Sequence, residues 1–291
     1  MAYRTTRTRR RVTRRKSRYT KRRPTRSLKR RYQSKRITNK RILNVSSEKK
    51  SDSRVFYTNL TAPGTPPVFS APVLLGGTTY AFIHMPTAMD KSNAVSQDIG
   101  NFRDRSDVYM RGFSETLRMT TNGGDTWNWR RLVFTLKGPA IYSNISAASA
   151  LYLESASNGW TRTWVNHNSS AVGGAALGLL FKGNLNTDWV DPFTATVDTS
   201  KVGLLYDKYQ VLKAGNGENN VHNRKMWHPF NKMFYYADDE NGSTETESVV
   251  HVASKQGMGD VYIMDLFLCA DANPSQTMQL DGTARLYWHE K

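Results

Sequence analysis

The first 41 residues carry twenty basic side chains, fifteen Arg and five Lys, and no acidic one. Their aliphatic content is little more than Ala2, Val12, Leu28 and Ile37, too little apolar area to offset the entropy of ordering a backbone. Repulsion among like charges works in the same direction, so the segment is expected to be disordered alone and to act as an interaction arm. The fold must therefore come from the remainder. Residues 42 to 291 keep 22 basic and 24 acidic side chains, so a chain of net charge +18 consists of a cationic arm and a body of net −2.

The arm's partner is expected to be a polyanion. Its bias towards Arg favours nucleic acid over acidic protein, because the planar guanidinium grips phosphate oxygens in pairs and also stacks on bases. The phosphate-contacting set is then Arg4, Arg7, Arg9, Arg10, Arg11, Arg14, Arg15, Lys16, Arg18, Lys21, Arg22, Arg23, Arg26, Lys29, Arg30, Arg31, Lys35 and Arg36. Tyr3, Tyr19 and Tyr32 lie between these charges, either as spacers or as rings that stack on the unpaired bases of a single strand. Two clusters, Arg14-Arg15-Lys16 and Lys21-Arg22-Arg23, have the composition of a nuclear import signal, which brings in a host import receptor as a second partner. A mitochondrial presequence needs an amphipathic apolar face and a secretory signal a continuous apolar core, and the arm has neither.

One cysteine, Cys269, rules out an intrachain disulfide and a thiolate zinc cluster. The longest apolar stretches, 171 to 181 and 261 to 270, are far short of the roughly 20 residues that cross a bilayer, and no membrane insertion is expected. The sequons at Asn59, Asn144, Asn168 and Asn241 read as chance without a secretory signal.

Residues 42 to 54 are polar and Ser/Lys-rich and read as a linker, with structure expected from Val55. Beyond it, short β-prone runs are separated by turn signals. The strands predicted are 54–60, 80–85, 106–120, 128–137, 161–166, 177–183, 202–212, 232–237, 259–270 and 282–289. Leu132, Phe134 and Leu136 repeat at period two, as do Ala284, Leu286 and Trp288. Val261 to Leu268 is apolar almost throughout and predicts a central strand covered on both sides. Hairpin turns are expected at Asn122 to Asp125, Asn216-Gly217 and Asn241-Gly242, and one short helix at 147–154 with Asn144 or Ser146 as N-cap. The class is all-β: residues 55–291 form a single jelly-roll, a two-sheet Greek-key β-sandwich with long loops at 86–105, 138–160 and 184–200.

Catalytic signatures are sparse. There is no Gly-Lys dipeptide, so no Walker A loop, and no G-x-G-x-x-G or G-x-S-x-G. None of His84, His167, His222, His228, His251 and His289 stands four residues from another, as a metalloprotease helix requires. His222 and His228 read first as surface histidines on a polar loop, with a ligand shared in space as the alternative. The acidic run Asp238-Asp239-Glu240-Asn241-Gly242 reads first as a solvated hairpin, with oxygen ligation of calcium or contact with a neighbouring subunit as alternatives. Seven tryptophans point to extensive subunit contact. No enzyme activity, cofactor or metal site is expected.

Several segments together resemble the capsid proteins of genomoviruses, circular single-stranded DNA viruses related to geminiviruses. They are Val108 to Glu115, Tyr206-Asp207-Lys208, Trp227 to Lys232 with Tyr235 to Gly242, and the terminal Leu286 to Lys291. The resemblance spans most of the body. It implies a coat protein whose jelly-roll assembles as a homo-oligomer into a small icosahedral T=1 shell, with the arm directed inward on a packaged single-stranded DNA genome. It also implies a place in the virion, and in the host nucleus during assembly. Geminivirus-type Cys and His clusters have no counterpart here, so no metal site carries over. About 60 copies would bring roughly 1,200 arm charges, comparable with the phosphates of a single strand of about one to three kilobases. The alternative reading is a non-viral nuclear nucleic-acid-binding β-sandwich protein. A third is a β-sandwich carbohydrate-binding protein or glycosidase with a fortuitous basic tail.

Overall fold

The computed structural model describes residues 45–91, 101–213 and 219–291. The chain divides into two units, Met1–Ile42 and Leu43–Lys291, and all described residues belong to the second. The arm, residues 92–100 of one long loop, and the Asn216-Gly217 turn lie outside the described residues.

Two antiparallel sheets make the sandwich. In sheet 1 the order is β1 (Glu48–Arg54), β16 (Thr277–Glu290), β6 (Asp107–Thr121) and β12 (Val221–Tyr235), with β4 (Val73–Leu75) also paired to β16. In sheet 2 it is β11 (Gly203–Leu212), β7 (Trp127–Leu136), β15 (Asp260–Cys269) and β5 (Tyr80–His84). Ranked along the chain, these eight principal strands run first, eighth, third, sixth in sheet 1 and fifth, fourth, seventh, second in sheet 2. That is the jelly-roll order of two Greek keys. A smaller sheet places β10 (Arg162–Trp164) parallel to β2 (Phe56–Thr58), which pairs antiparallel with β3 (Val68–Phe69). Short ladders join β8 (Glu154–Ser155) to β9 (Gly159–Trp160) and β13 (Asp239–Asn241) to β14 (Thr244–Thr246), and one helix, α1 (Ala171–Leu180), lies in the β7–β11 connection.

Period-two patterning builds the interior. Phe113, Leu117 and Met119 of β6 point inward beside Leu280, Leu286 and Trp288 of β16, facing Val133, Ile263 and Phe267 of sheet 2. Aromatic packing is dense: Trp129 stacks on Phe267 with centroids 5.6 Å apart, and Trp164 meets Phe82 edge-on at 5.2 Å. As its apolar run predicts, β15 lies between β7 and β5, and nine of its ten residues are buried.

Five expectations fail, each for a physical reason. Residues 48–54, read as linker, form edge strand β1, whose buried face is ionic rather than apolar. Lys50 sits among Asp104, Glu48 and Glu290, and Arg54 donates from Nε to Asp52 Oδ2 at 3.0 Å. The strand expected at 177–183 is largely the last turn of α1, which is apolar on all sides and so shows neither period; Ser170 Oγ caps it, accepting from Gly173 N at 3.1 Å. The helix expected at 147–154 is absent. Ser146 and Ser149 close a turn, after which buried Leu151 is drawn into the sandwich, its carbonyl accepting from Met85 N and Thr163 Oγ1, each at 3.0 Å. The strand expected at 232–237 is only the end of β12, which starts at Val221; Pro229 obscures it in the sequence but is tolerated at a sheet edge and beside the ladder's register shift at 229–232. Asn122 to Asp125 turns the chain from β6 in sheet 1 to β7 in sheet 2, so it joins sheets and is not a hairpin. Asn241-Gly242 is a hairpin, with Gly242 at φ 62°.

Candidate functional site

All eighteen predicted phosphate-contacting residues, Arg4 to Arg36, and the two import clusters within them lie outside the described residues. In the body, the chemistry-bearing side chains separate into a closed interior cluster and two outer faces of unlike character.

Inside the sandwich, four fully buried charges meet. Glu115 comes from sheet 1, Arg131 and Asp265 from sheet 2, and Arg162 from the small sheet. Arg131 donates from Nε and Nη2 to the two Asp265 oxygens at 2.6 and 2.8 Å, and its Nη1 lies 2.5 Å from Glu115 Oε2. Arg162 donates to Glu115 Oε1 and Asp265 Oδ2, each at 2.8 Å, and Trp129 Nε1 donates to Asp265 Oδ1 at 2.9 Å. Two cations face two anions, so the cluster is neutral. Burial alone would raise the Asp265 pKa; Arg131 and Arg162 outweigh it and hold the carboxyl below its usual range. For Arg131 burial works downward, and Asp265 and Glu115 reverse it. Each charge is taken up by another, which is the arrangement of a structural clamp between sheets and leaves no group free to act on a substrate.

Two histidines flank this clamp. His228, placed by the sequence on a surface loop, lies on β12 and is buried. Burial and then the Arg131 charge push its pKa down to about 4. His84 is held well below its ordinary value by burial and by Arg162. His222 is six residues from His228 along β12, roughly 20 Å at strand rise, so the two share no ligand. Among the described residues, no group of three or more His, Cys, Asp or Glu side chains is placed to hold a metal ion.

The acidic run is divided. Asp238 turns inward and accepts two bonds from Arg103, at 2.6 and 2.8 Å, while Arg103 lies 3.8 Å over the Tyr236 ring. Asp239, Glu240 and Asn241 are exposed on the β13 hairpin. The tryptophans too are more internal than expected: Trp127, Trp129, Trp160, Trp164 and Trp288 are buried in the chain's own core, whereas Trp227 is 48% exposed.

The outer face of sheet 2 is covered. Leu132, Phe134 and Tyr262 point outward yet are buried in one cluster with Val172, Ala176 and Leu180 of α1, and Arg130 Nη1 donates to the carbonyls of Pro192 and Ala195 at 2.8 and 2.9 Å. No such layer covers the outer face of sheet 1 among the described residues. There Thr116 and Arg118 of β6, Lys225 and Trp227 of β12, and Thr283 and Arg285 of β16 are exposed. Sequence reasoning missed this face, although its signal was present as basic and aromatic residues at alternate positions of three strands.

Fold and surface together define an all-β jelly-roll sandwich with one face covered by a connecting layer and one left bare by the described residues. Neither a family model nor a curated protein sequence matches the chain. Among solved structures, the human polyomavirus 7 VP1 pentamer is 10% identical over 84% of this chain and 94% of that one, with a TM-score of 0.22. VP1 of trichodysplasia spinulosa-associated polyomavirus, in complex with GM1 oligosaccharide, is 9% identical over 84% and 92%, with a TM-score of 0.14. Likenesses this slight carry no argument, and the fold stands on its own strand order. No helix among the described residues is long and apolar enough to cross a membrane.

Proposed function

We propose that this chain is the capsid protein of a circular single-stranded DNA virus of the genomovirus kind, assembling into a small icosahedral shell and packaging its genome through residues 1–41. The carrying observation is the segregation of charge: twenty basic and no acidic residues in the arm, against net −2 in a body that closes as a jelly-roll. A sandwich with no strong net charge lets copies pack without mutual repulsion, while the arm neutralises phosphates irrespective of sequence. Apolar side chains left at the surface, Phe69 at 66%, Val190 at 75% and Leu185 at 51% exposure, supply contacts between copies. The import clusters deliver the protein to the host nucleus, where genome and coat meet.

The test is negative-stain microscopy of expressed protein combined with nuclease protection. Wild type gives closed particles holding nuclease-resistant single-stranded DNA. A variant with the arm's Arg and Lys residues changed to Gln folds but protects none. Protection at the wild-type level in that variant refutes arm-driven packaging, and a small monodisperse species under all conditions refutes the shell and favours a non-viral nuclear protein.

A further inference from the structure

The bare face of sheet 1 is not a random polar surface. It carries two aromatic pairs, each beside an arginine. Trp227 of β12 meets Tyr287 of β16 with centroids 5.5 Å apart, and Arg285 lies 5.9 Å over the Tyr287 ring. Tyr109 of β6 meets His289 of β16 at 6.2 Å, and Arg111 lies 6.0 Å over the Tyr109 ring. Tyr287 and His289 are two residues apart on one strand, so the pairs form successive rows roughly 7 Å apart.

The backbone is shaped to hold the first pair. Gly112 lies beneath the Trp227 ring, and a Cβ there would come within 2.7 Å of that ring and 2.5 Å of the His228 carbonyl oxygen. Glycine therefore lets the indole lie down across β6 against Tyr287, with nearly half of its surface still open to solvent. Lys49 and Lys225 add charge on flanking strands. The opposing carboxylates are few: Asp281, engaged by Arg118 at 3.0 Å, and Asp107 at the start of β6. The face is locally cationic although the body as a whole is net −2.

From this we infer that the outer face of sheet 1 is a second binding site, for unpaired nucleic acid, in which bases stack on Trp227, Tyr287 and Tyr109 while Arg285, Arg111 and Lys225 neutralise phosphates. Flat rings interleaved with cations suit single strands, because every base presents a π-face only when it is unpaired. An acidic protein surface such as the exposed β13–β14 hairpin of a second copy also satisfies cations, but it offers no flat faces to the rings, whereas a single strand supplies phosphates and unpaired bases together. The site rests on the nucleic-acid reading above but moves part of the binding from the arm to the body.

The experiment is ultraviolet cross-linking of full-chain protein to an oligothymidylate carrying 4-thiothymidine, with the linked peptides mapped by mass spectrometry. Links are expected at Trp227, Tyr287 or Tyr109 as well as in the arm, and duplex of the same length yields the arm links alone. Full-chain Trp227→Ala loses the body links and weakens oligonucleotide binding about fivefold or more. Lys225→Gln with Arg285→Gln, two exposed positions, lowers the slope of log affinity against log salt by about 1.4. Links confined to residues 1–41 in tightly bound wild-type protein overturn this inference and leave arm-driven packaging intact. Equal body links with duplex overturn the stacking argument, and body links without arm links overturn the packaging proposal while sustaining the face.

Discussion

Asp265→Asn is expected to be among the most damaging near-isosteric changes in the sandwich. The Asp265 carboxylate accepts four bonds, two from Arg131 and one each from Arg162 and Trp129. Removing its charge leaves two fully buried guanidinium groups facing Glu115 alone. A buried charge left without its partner typically costs about 3–5 kcal/mol. For a body of this size each kcal/mol moves Tm by about 2–4 °C, so a fall of roughly 6–20 °C is expected. The assay is urea and thermal unfolding followed by tryptophan fluorescence, on subunits kept unassembled. Arg131→Met added to Asp265→Asn restores neutrality, with Arg162 facing Glu115, and the double variant should be markedly less destabilised than the two single losses added together. The pH dependence has a definite sign. The folded-state pKa of Asp265 lies below its unfolded value, so its stabilisation is complete above the ordinary carboxylate range and is lost as pH falls through the folded value; Asp265→Asn should flatten that acid limb. A loss below about 1 kcal/mol, or strict additivity in the double variant, would refute the clamp.

Two further outcomes are expected. Asp260 is buried with Oδ2 unpaired, and burial raises its pKa to about 7 despite the backbone bond from His251. The folded state therefore resists its ionisation, and stability should fall as pH rises from about 4 to 7, by up to about 4 kcal/mol; urea midpoints across that range should show the slope in wild type and lose it in Asp260→Asn. Gly112→Ala sets a methyl against the Trp227 ring and the His228 carbonyl, an overpacking that costs about 1–3 kcal/mol. The indole should be displaced, read as a changed near-ultraviolet circular dichroism signal and lost Trp227 cross-links.

The parts of the fold legible in the sequence are those whose buried face is apolar. Strands β5, β6, β7, β11 and β15 follow predicted runs to within two residues at either end, because alternation or continuous apolarity survives in any one-dimensional reading. Strand β1 was illegible for the opposite reason. Its inward residues Lys50, Asp52 and Arg54 are charged, and they are tolerable in the interior only because Asp104, Glu290 and the Ala88 carbonyl meet them from distant segments. The clamp is hidden in the same way. Glu115, Arg131, Arg162 and Asp265 carry no mutual spacing rule, since their meeting depends on how three sheets pack. Helix α1 escaped because a segment apolar on every side has no period to detect.

Net charge misled by averaging. The net −2 of the body sums unlike surfaces. Among the described residues, six basic and five acidic ones are buried and nearly cancel. Outside, Asp239, Glu240 and Glu245 give the β13–β14 hairpin an exposed acidic edge, while Arg111, Arg118, Lys225 and Arg285 gather on the bare side of sheet 1. Reading charge along a strand at period two, rather than over the whole chain, separates these contributions. On β16 it puts Arg285, Tyr287 and His289 on one side and Ala284, Leu286 and Trp288 on the other. The same alternation that builds the core thus lays out the cationic, aromatic surface behind it, and a single-strand-binding face requires no residue that the sandwich itself needs.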